Sequence, residues 1–196
     1  MFILLFQSNQ NTIMKKLLFL NLFIILNTSC AQKNNWKEFS KEKIITLNIN
    51  NTKLYKVKNF TFNVIWNKKL SNLKNLNYYY GGIKKLSIGK GNKQLQTINN
   101  IEDKIALGNI IFSFYDYNLD GYLDFSIPID CGKSCYDRYY IFNPKSNKFE
   151  HKKSWDYLRI QKIDKRNKMI LSQPDGNAFE DNRKKYKIKG LEINEI

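Results

Sequence analysis

Short runs of β-branched and aromatic residues, separated by turn-forming residues, recur along the chain from about residue 53 onward. Such runs are typical of β-strands, and no segment after the amino end shows a convincing helical period. The runs predict strands at 53–57, 60–66, 83–88, 94–98, 109–115, 123–129, 139–142, 158–163, 168–172 and 186–193. The pattern therefore predicts an all-β fold of antiparallel hairpins, with short helical turns at 36–42 and 70–76.

One connection between predicted strands carries more polar side chains than a turn needs. Oxygen-bearing side chains occupy its positions 1, 3, 5 and 9: Asp116, Asn118, Asp120 and Asp124. A calcium ion takes six to eight oxygens at about 2.3 to 2.6 Å, and this spacing supplies them, with the backbone carbonyl of Tyr122 at position 7. Position 12 is Ile127, so an EF-hand is not predicted. The run predicts a strand-loop-strand calcium site, and a metal-free turn is the alternative.

The amino end has the pattern of an export signal. Lys15 and Lys16 precede an apolar run at 17–26, which ends in small residues before Cys30. This pattern resembles a bacterial lipoprotein signal, in which the cysteine is lipidated and becomes the first residue of the mature chain. An uncleaved signal anchor is the alternative.

The lipoprotein resemblance divides the chain into three parts: a signal peptide over 1–29, a tether over 30–40 and a single β domain over 41–196. Residues 1–13 lie upstream of the expected start, because Met14 followed by two lysines makes a better beginning. A lipid on Cys30 implies a place in the cell envelope, on the outer membrane and facing the periplasm.

The remaining cysteines, Cys131 and Cys135, form a closely spaced pair. In an oxidising envelope they are predicted to form a disulfide. Closing so short a loop adds little stability through chain entropy, so the bridge is expected to fix the local shape beside the calcium loop. The alternative is a copper(I) site made by the two thiolates and His151, the single histidine.

Charge is unevenly distributed along the chain. Lys and Arg number 33 against 17 Asp and Glu, a net charge of +16, yet no acidic residue lies between Lys43 and Ile101. Acidic residues then gather in the next segment, opposed only by Lys104: Glu102, Asp103, Asp116, Asp120, Asp124 and Asp130. Carboxylates without basic partners repel one another unless a cation neutralises them, which favours a metal site.

The basic residues limit the classes of partner. Most are Lys, whereas sequence-specific nucleic-acid recognition depends on bidentate Arg, so nucleic-acid binding is not predicted. A Lys-rich face toward anionic lipid head groups or cell-wall polymers fits this composition better.

The central segment resembles a known type of calcium repeat. The stretch from Phe112 to Ile127, followed by 139–149, is similar to the FG-GAP repeats of β-propellers. It is more similar to a group of small bacterial envelope lipoproteins, in which one calcium loop precedes a strand, a Pro-containing turn and a Phe. The similarity runs from about Ile83 to the end. It implies a small propeller-like or irregular β domain with one calcium loop.

The same group includes a calcium-dependent inhibitor of lysozyme-type hydrolases, which protects its owner from a secreted cell-wall toxin. The resemblance therefore implies a non-enzymatic, lipid-anchored binding or immunity protein whose partner is a secreted or periplasmic cell-wall hydrolase.

Two other functions stay open on the sequence. One is a structural envelope lipoprotein that contacts outer-membrane proteins or anionic cell-wall polymers. The other is a glycan hydrolase that uses Asp103 and Asp130 as its carboxylate pair. His151 is predicted to be a surface or edge residue rather than a catalytic base, because no nucleophile is placed beside it by the pattern.

Overall fold

Antiparallel β-strands make up most of the described part of the chain. The computed structural model describes residues 35–49, 53–66, 82–101, 110–131, 135–173 and 182–196. The strands are β1 (Lys37–Glu38), β2 (Ile45–Ile49), β3 (Leu54–Val57), β4 (Phe60–Trp66), β5 (Ile83–Lys90), β6 (Lys93–Ile101), β7 (Ile110–Tyr115), β8 (Asp124–Cys131), β9 (Cys135–Asn143), β10 (Lys148–His151), β11 (Ile160–Asp164), β12 (Met169–Ser172), β13 (Lys184–Lys189) and β14 (Glu192–Glu195). The predicted all-β class is confirmed.

Short helical turns interrupt the strands at Phe39–Lys41 and Lys153–Trp155. Within the described residues, no helix has the length and apolar character needed to cross a membrane. The first turn lies inside the predicted helical segment 36–42, whereas the second predicted segment, 70–76, and the predicted signal peptide lie outside the described residues.

The strands form three sheets, each built on four strands that follow one another in sequence. The first sheet has the order β3-β4-β5-β6. The second sheet has the order β10-β9-β8-β7-β2, and the third has the order β1-β11-β12-β13-β14. Each sheet thus contains a four-stranded antiparallel meander. Strand β2 forms an additional edge of the second sheet, beside β7, and β1 forms an additional edge of the third sheet, beside β11.

The strand prediction differs from the structure at the edges. It missed β1, β2 and β10, which are short edge strands, and it joined β13 and β14 into one strand at 186–193. The joining is wrong because Gly190 has a φ of +63° and starts a turn that pairs Lys189 with Glu192. A single glycine between two Lys-rich and Glu-rich runs was the signal for that turn.

The tether prediction is corrected at its carboxyl end. One compact unit of the chain covers Asn35–Ile196, so 35–40 belong to that unit rather than to a tether. Lys37 and Glu38 pair with Ile163 and Lys162 of the third sheet. Phe39 packs its ring edge-on to Tyr115, with the centroids 5.2 Å apart.

Two hydrophobic clusters cover opposite faces of the second sheet. Alternation along β9 places Tyr140 and Phe142 in the cluster shared with the first sheet, and Tyr139 and Ile141 in the cluster shared with the third sheet. Successive side chains of a strand point to opposite faces, so one strand can serve both clusters. The second sheet is therefore the layer that joins the other two.

Gln96 links the first sheet to the edge of the second. Its side-chain amide donates to the carbonyl of Phe149 and accepts from the N–H of Phe149, each at 2.8 Å. Phe149 lies in the edge strand β10, whose outward backbone groups have no neighbouring strand. The side-chain amide of Gln96 thus satisfies the backbone N–H and C=O of Phe149, which a neighbouring strand would otherwise bond.

We expect Gln96→Ala to lower the free energy of unfolding by about 2 kcal/mol, because it leaves two backbone groups of a buried residue without partners. Urea denaturation measures the effect. Gln94→Ala is the control, since Gln94 is exposed on the same strand and its side-chain amide donates to the hydroxyl of Thr97, at 3.1 Å. Equal losses in the two variants would contradict the linking role of Gln96.

Candidate metal centre

The predicted calcium loop connects β7 and β8. The two strands pair antiparallel, with Tyr115 opposite Asp124 at the start of the loop. The strand-loop-strand arrangement is therefore confirmed. The loop contains two residues in the left-handed region, Leu119 at φ +56° and Gly121 at φ +91°. A non-glycine residue at positive φ is uncommon, so side-chain bonds must hold this bend.

Asp116 supplies two of those bonds. One of its carboxylate oxygens accepts from the N–H of Asp120 and the other from the N–H of Gly121, each at 2.9 Å. Burial raises the pKa of Asp116, and the two backbone N–H groups oppose that rise. Asp116 is half-buried.

Asn118 and Asp120 lie together across the loop. The amide nitrogen of Asn118 donates to Asp120, at 2.9 Å, and to the carbonyl of Gly190, at 3.2 Å. The other oxygen of Asp120 accepts from the N–H of Tyr122, at 2.9 Å. Asn118 is 1% exposed, and its Oδ1 has no hydrogen-bond partner. An unpaired buried carbonyl oxygen is costly, and a bound cation would satisfy it.

Asp124 has a different role from the other carboxylates. One of its oxygens accepts from the N–H groups of Tyr117, at 2.8 Å, and Asn118, at 3.4 Å, while the other accepts from the N–H of Phe142, at 2.8 Å. Its side chain is fully buried, and burial raises its pKa well above the usual range. Asp124 thus joins the loop to β9 inside the fold.

The residues fit a cation site in part. Asp116, Asn118 and Asp120 are brought together and offer oxygen atoms only, which is the donor chemistry that calcium prefers. Among the described residues, no group of three or more His, Cys, Asp or Glu is arranged to hold a metal ion. A cation in the loop would therefore depend on the amide oxygen of Asn118 and on the Tyr122 carbonyl as well as on carboxylates.

A buried polar chain, which the sequence pattern did not predict, runs beneath the loop. Tyr117 and Ser126 share a hydrogen bond of 3.0 Å, and the Ser126 hydroxyl donates to Asp137 at 2.9 Å. Burial raises the pKa of Asp137. The sequence signal was weak, because Ser126 and Asp137 each stand alone in an otherwise ordinary strand and Tyr117 is a single aromatic residue in the loop. The chain anchors the loop, through Tyr117, to strands β8 and β9.

The cysteine predictions have different outcomes. The backbones of Cys131 and Cys135 are register partners at the end of β8 and β9, but their side chains lie outside the described part, so the disulfide stays a prediction. The copper alternative is wrong. His151 is opposite Tyr140, about 17 Å along β9 from Cys135, which is beyond the reach of a shared ion. His151 instead pairs with Asp156, at 2.8 Å.

The other predicted residues lie partly outside the described structure. Cys30 and Asp103 are outside the described residues, and so is the side chain of Asp130, so neither the lipid anchor nor the carboxylate pair is tested. His151 lies at the end of the edge strand β10 with an exposed side chain, as predicted. Comparisons of the chain with protein-family models, with curated proteins and with solved structures found no match.

Proposed function

We propose that this protein is a lipid-anchored envelope module that inhibits a lysozyme-type cell-wall hydrolase, with loop 116–124 supported by calcium. The observation that carries the proposal is the aromatic side chain at the tip of that loop. Tyr122 is 46% exposed, its N–H is held by Asp120, and its ring lies 5.6 Å from the ring of Phe142. Exposed, fixed tyrosines are frequent anchors of protein interfaces.

The scaffold supports a binding role. A four-stranded antiparallel meander is the repeating unit of β-propellers, and this domain contains three of them in succession among its described residues. We propose that the domain is a small, propeller-like variant of that architecture. The loop connects the first two strands of the second meander, so its tip rests on the sheet that both hydrophobic clusters stabilise. A loop on such a support loses little conformational entropy when a partner binds.

Calcium would have a structural role in the loop and no catalytic role. Asp116, Asn118 and Asp120 would hold the ion, and its charge would satisfy the unpaired Oδ1 of Asn118. Asp116 and Asp120 also fix the backbone on both sides of Gly121. Removing the ion should therefore loosen the position of Tyr122 without unfolding the sheets.

We expect about 10 mM calcium to stabilise the protein by about 2 to 3 kcal/mol over protein in chelator, the gain for an extracellular-type site filled at about one hundred times its Kd. Thermal melting with calcium and with EDTA measures it. Asp120→Asn keeps the size of the side chain but removes its charge, so its melting temperature should not respond to calcium. A wild-type protein that does not respond either leaves the loop as a metal-free turn.

The inhibition itself predicts a second measurement. The purified protein should block at least one of a panel of secreted muramidases in calcium and lose that effect in EDTA. Tyr122→Ala should weaken the inhibition at least tenfold, as for an interface anchor.

Tyr157→Ala is the matched control for the inhibition test. Tyr157 is 58% exposed, and its N–H donates to the carbonyl of Asp137, which pairs with Pro128 at the far end of β8 from the loop. Tyr157→Ala should inhibit like the wild type. If no muramidase is inhibited in calcium, the proposal fails, and persistent crosslinking to outer-membrane proteins would then favour a structural lipoprotein.

A further inference from the structure

The outer face of the first sheet carries a polar groove, away from the hydrophobic cluster on its inner face. Along β4, Phe60, Phe62 and Val64 point into the cluster, so Thr61 and Asn63 lie on the opposite face. The groove has a volume of about 270 Å³. Its lining includes hydroxyl and amide side chains around a glycine, with the backbone of Lys93 beside them: Thr61, Asn63, Ser87, Gly89 and Gln94.

Gly89 keeps this groove open. A Cβ atom at Gly89 would lie 2.6 Å from Oγ1 of Thr61 and 3.1 Å from the backbone carbonyl oxygen of Lys93. Gly89 does not have the positive φ that Gly91 has in the adjacent turn. Other residue types can therefore adopt the backbone conformation of Gly89. Glycine is needed here because it has no Cβ atom to fill the groove.

The charge of this face is of one sign. No acidic residue occurs anywhere between Lys43 and Ile101, so the whole sheet lacks carboxylates. Alternation places Lys56 opposite Thr61, and Lys85 opposite Ile65, on the same face as the groove. Among the described residues, Lys56 and Lys85 make no ion pair. Their charges remain available to an anionic partner.

The groove also has an apolar wall. Leu54 lines it and is 58% exposed, and a leucine with that much exposed surface can pack against the C–H face of a sugar ring. Side-chain amides and hydroxyls both donate and accept, which matches the adjacent hydroxyl groups of a sugar. The volume is slightly below that of ordinary ligand pockets, about 300 to 1,000 Å³, so it suits a short part of a longer chain.

We propose that this groove binds an acidic polysaccharide. Asn63, Gln94 and the hydroxyls would bond the sugar hydroxyls, Leu54 would contact a ring face, and the two lysines would pair with carboxylates along the chain. The site uses neither the calcium loop nor Tyr122. It goes beyond hydrolase inhibition, since it would hold the protein on envelope or extracellular glycans.

Isothermal titration with alginate oligosaccharides, which carry one carboxylate per sugar, tests the proposal on the purified protein. Maltohexaose is the neutral probe. We expect alginate to bind with a Kd that rises with salt, and maltohexaose to bind at least tenfold more weakly. Equal binding of the two probes, or no binding of alginate, would overturn the proposal.

Three groove variants and one control variant separate binding in the groove from general attraction to basic charge. Gly89→Ala should weaken alginate binding about tenfold by filling the groove, and Asn63→Ala, on the exposed face, provides the same test without a tight contact. Lys56→Ala should also weaken it about tenfold, because Lys56 is opposite Thr61 on the groove face. Lys145→Ala removes one exposed lysine from the β9–β10 turn and should change it less than twofold.

Equal losses for the two lysine variants, or full binding by both Gly89→Ala and Asn63→Ala, would contradict the groove. Muramidase inhibition by these variants should stay at the wild-type level. The outcome for glycan binding is therefore independent of the outcome for hydrolase inhibition.

Discussion

Asp124→Ala is expected to destabilise the protein by about 3 to 5 kcal/mol, in calcium and in EDTA alike. The buried carboxylate accepts from three backbone N–H groups, those of Tyr117, Asn118 and Phe142. Alanine leaves all three without an acceptor inside the fold, where water cannot replace it. Equilibrium unfolding in urea, followed by tryptophan fluorescence, measures the loss.

Asp124→Asn is the matched control, because it keeps one acceptor oxygen in a side chain of the same shape. We expect it to lose less than the alanine variant. The comparison in EDTA distinguishes two possible roles of Asp124, bonding to backbone N–H groups and binding of calcium. Asp120→Asn should be destabilised relative to wild type mainly when calcium is present, whereas Asp124→Ala should be destabilised in both conditions. A loss below about 1 kcal/mol in EDTA would mean that Asp124 serves the ion and not the backbone.

Phe125→Ala is expected to cost about 3 to 5 kcal/mol, the usual range for removing a buried phenylalanine. Its ring is fully buried and lies between the first two sheets. It stacks on Tyr140 with the centroids 4.7 Å apart and on Phe112 at 5.6 Å, and it meets Phe149 edge-on at 5.0 Å. The cavity would therefore open where both sheets meet.

Phe125→Leu keeps most of the apolar volume and should cost clearly less than the alanine change. Phe39→Ala offers a second comparison, because Phe39 is only partly buried and contacts the other cluster. Differential scanning calorimetry on the three variants ranks them. A Phe125→Ala protein that is as stable as Phe39→Ala would contradict the central place of this ring.

The strand runs were predictable from sequence because they bury one face in a cluster. Phe60–Trp66 was predicted with its exact bounds, and its alternation of buried and exposed side chains is the reason. The edge strands β2 and β10 were missed, since they are short and their partners are set by tertiary pairing. Propensity carries no information on such partners.

The position of the loop was predictable from sequence, but the different bonding roles of its side chains were not. Spacing treats Asp116, Asp120 and Asp124 as equivalent oxygen donors. In the structure Asp124 is turned inward to backbone N–H groups, and the orphaned oxygen belongs to Asn118. The inward role of Asp124 depends on the N–H of Phe142. Phe142 is distant from Asp124 in sequence and comes next to it only when β8 and β9 have paired.

The early strands β1 and β2 find their partners late in the chain. Ile45 of β2 is opposite Phe114, and Lys37 of β1 is opposite Ile163, so neither strand can pair until a long stretch of later sequence is available. Pairing across so many residues is slow, because loop closure must come first. A chain that emerges amino end first would therefore remain incompletely folded until β11 appears, because β1 has no partner strand before then.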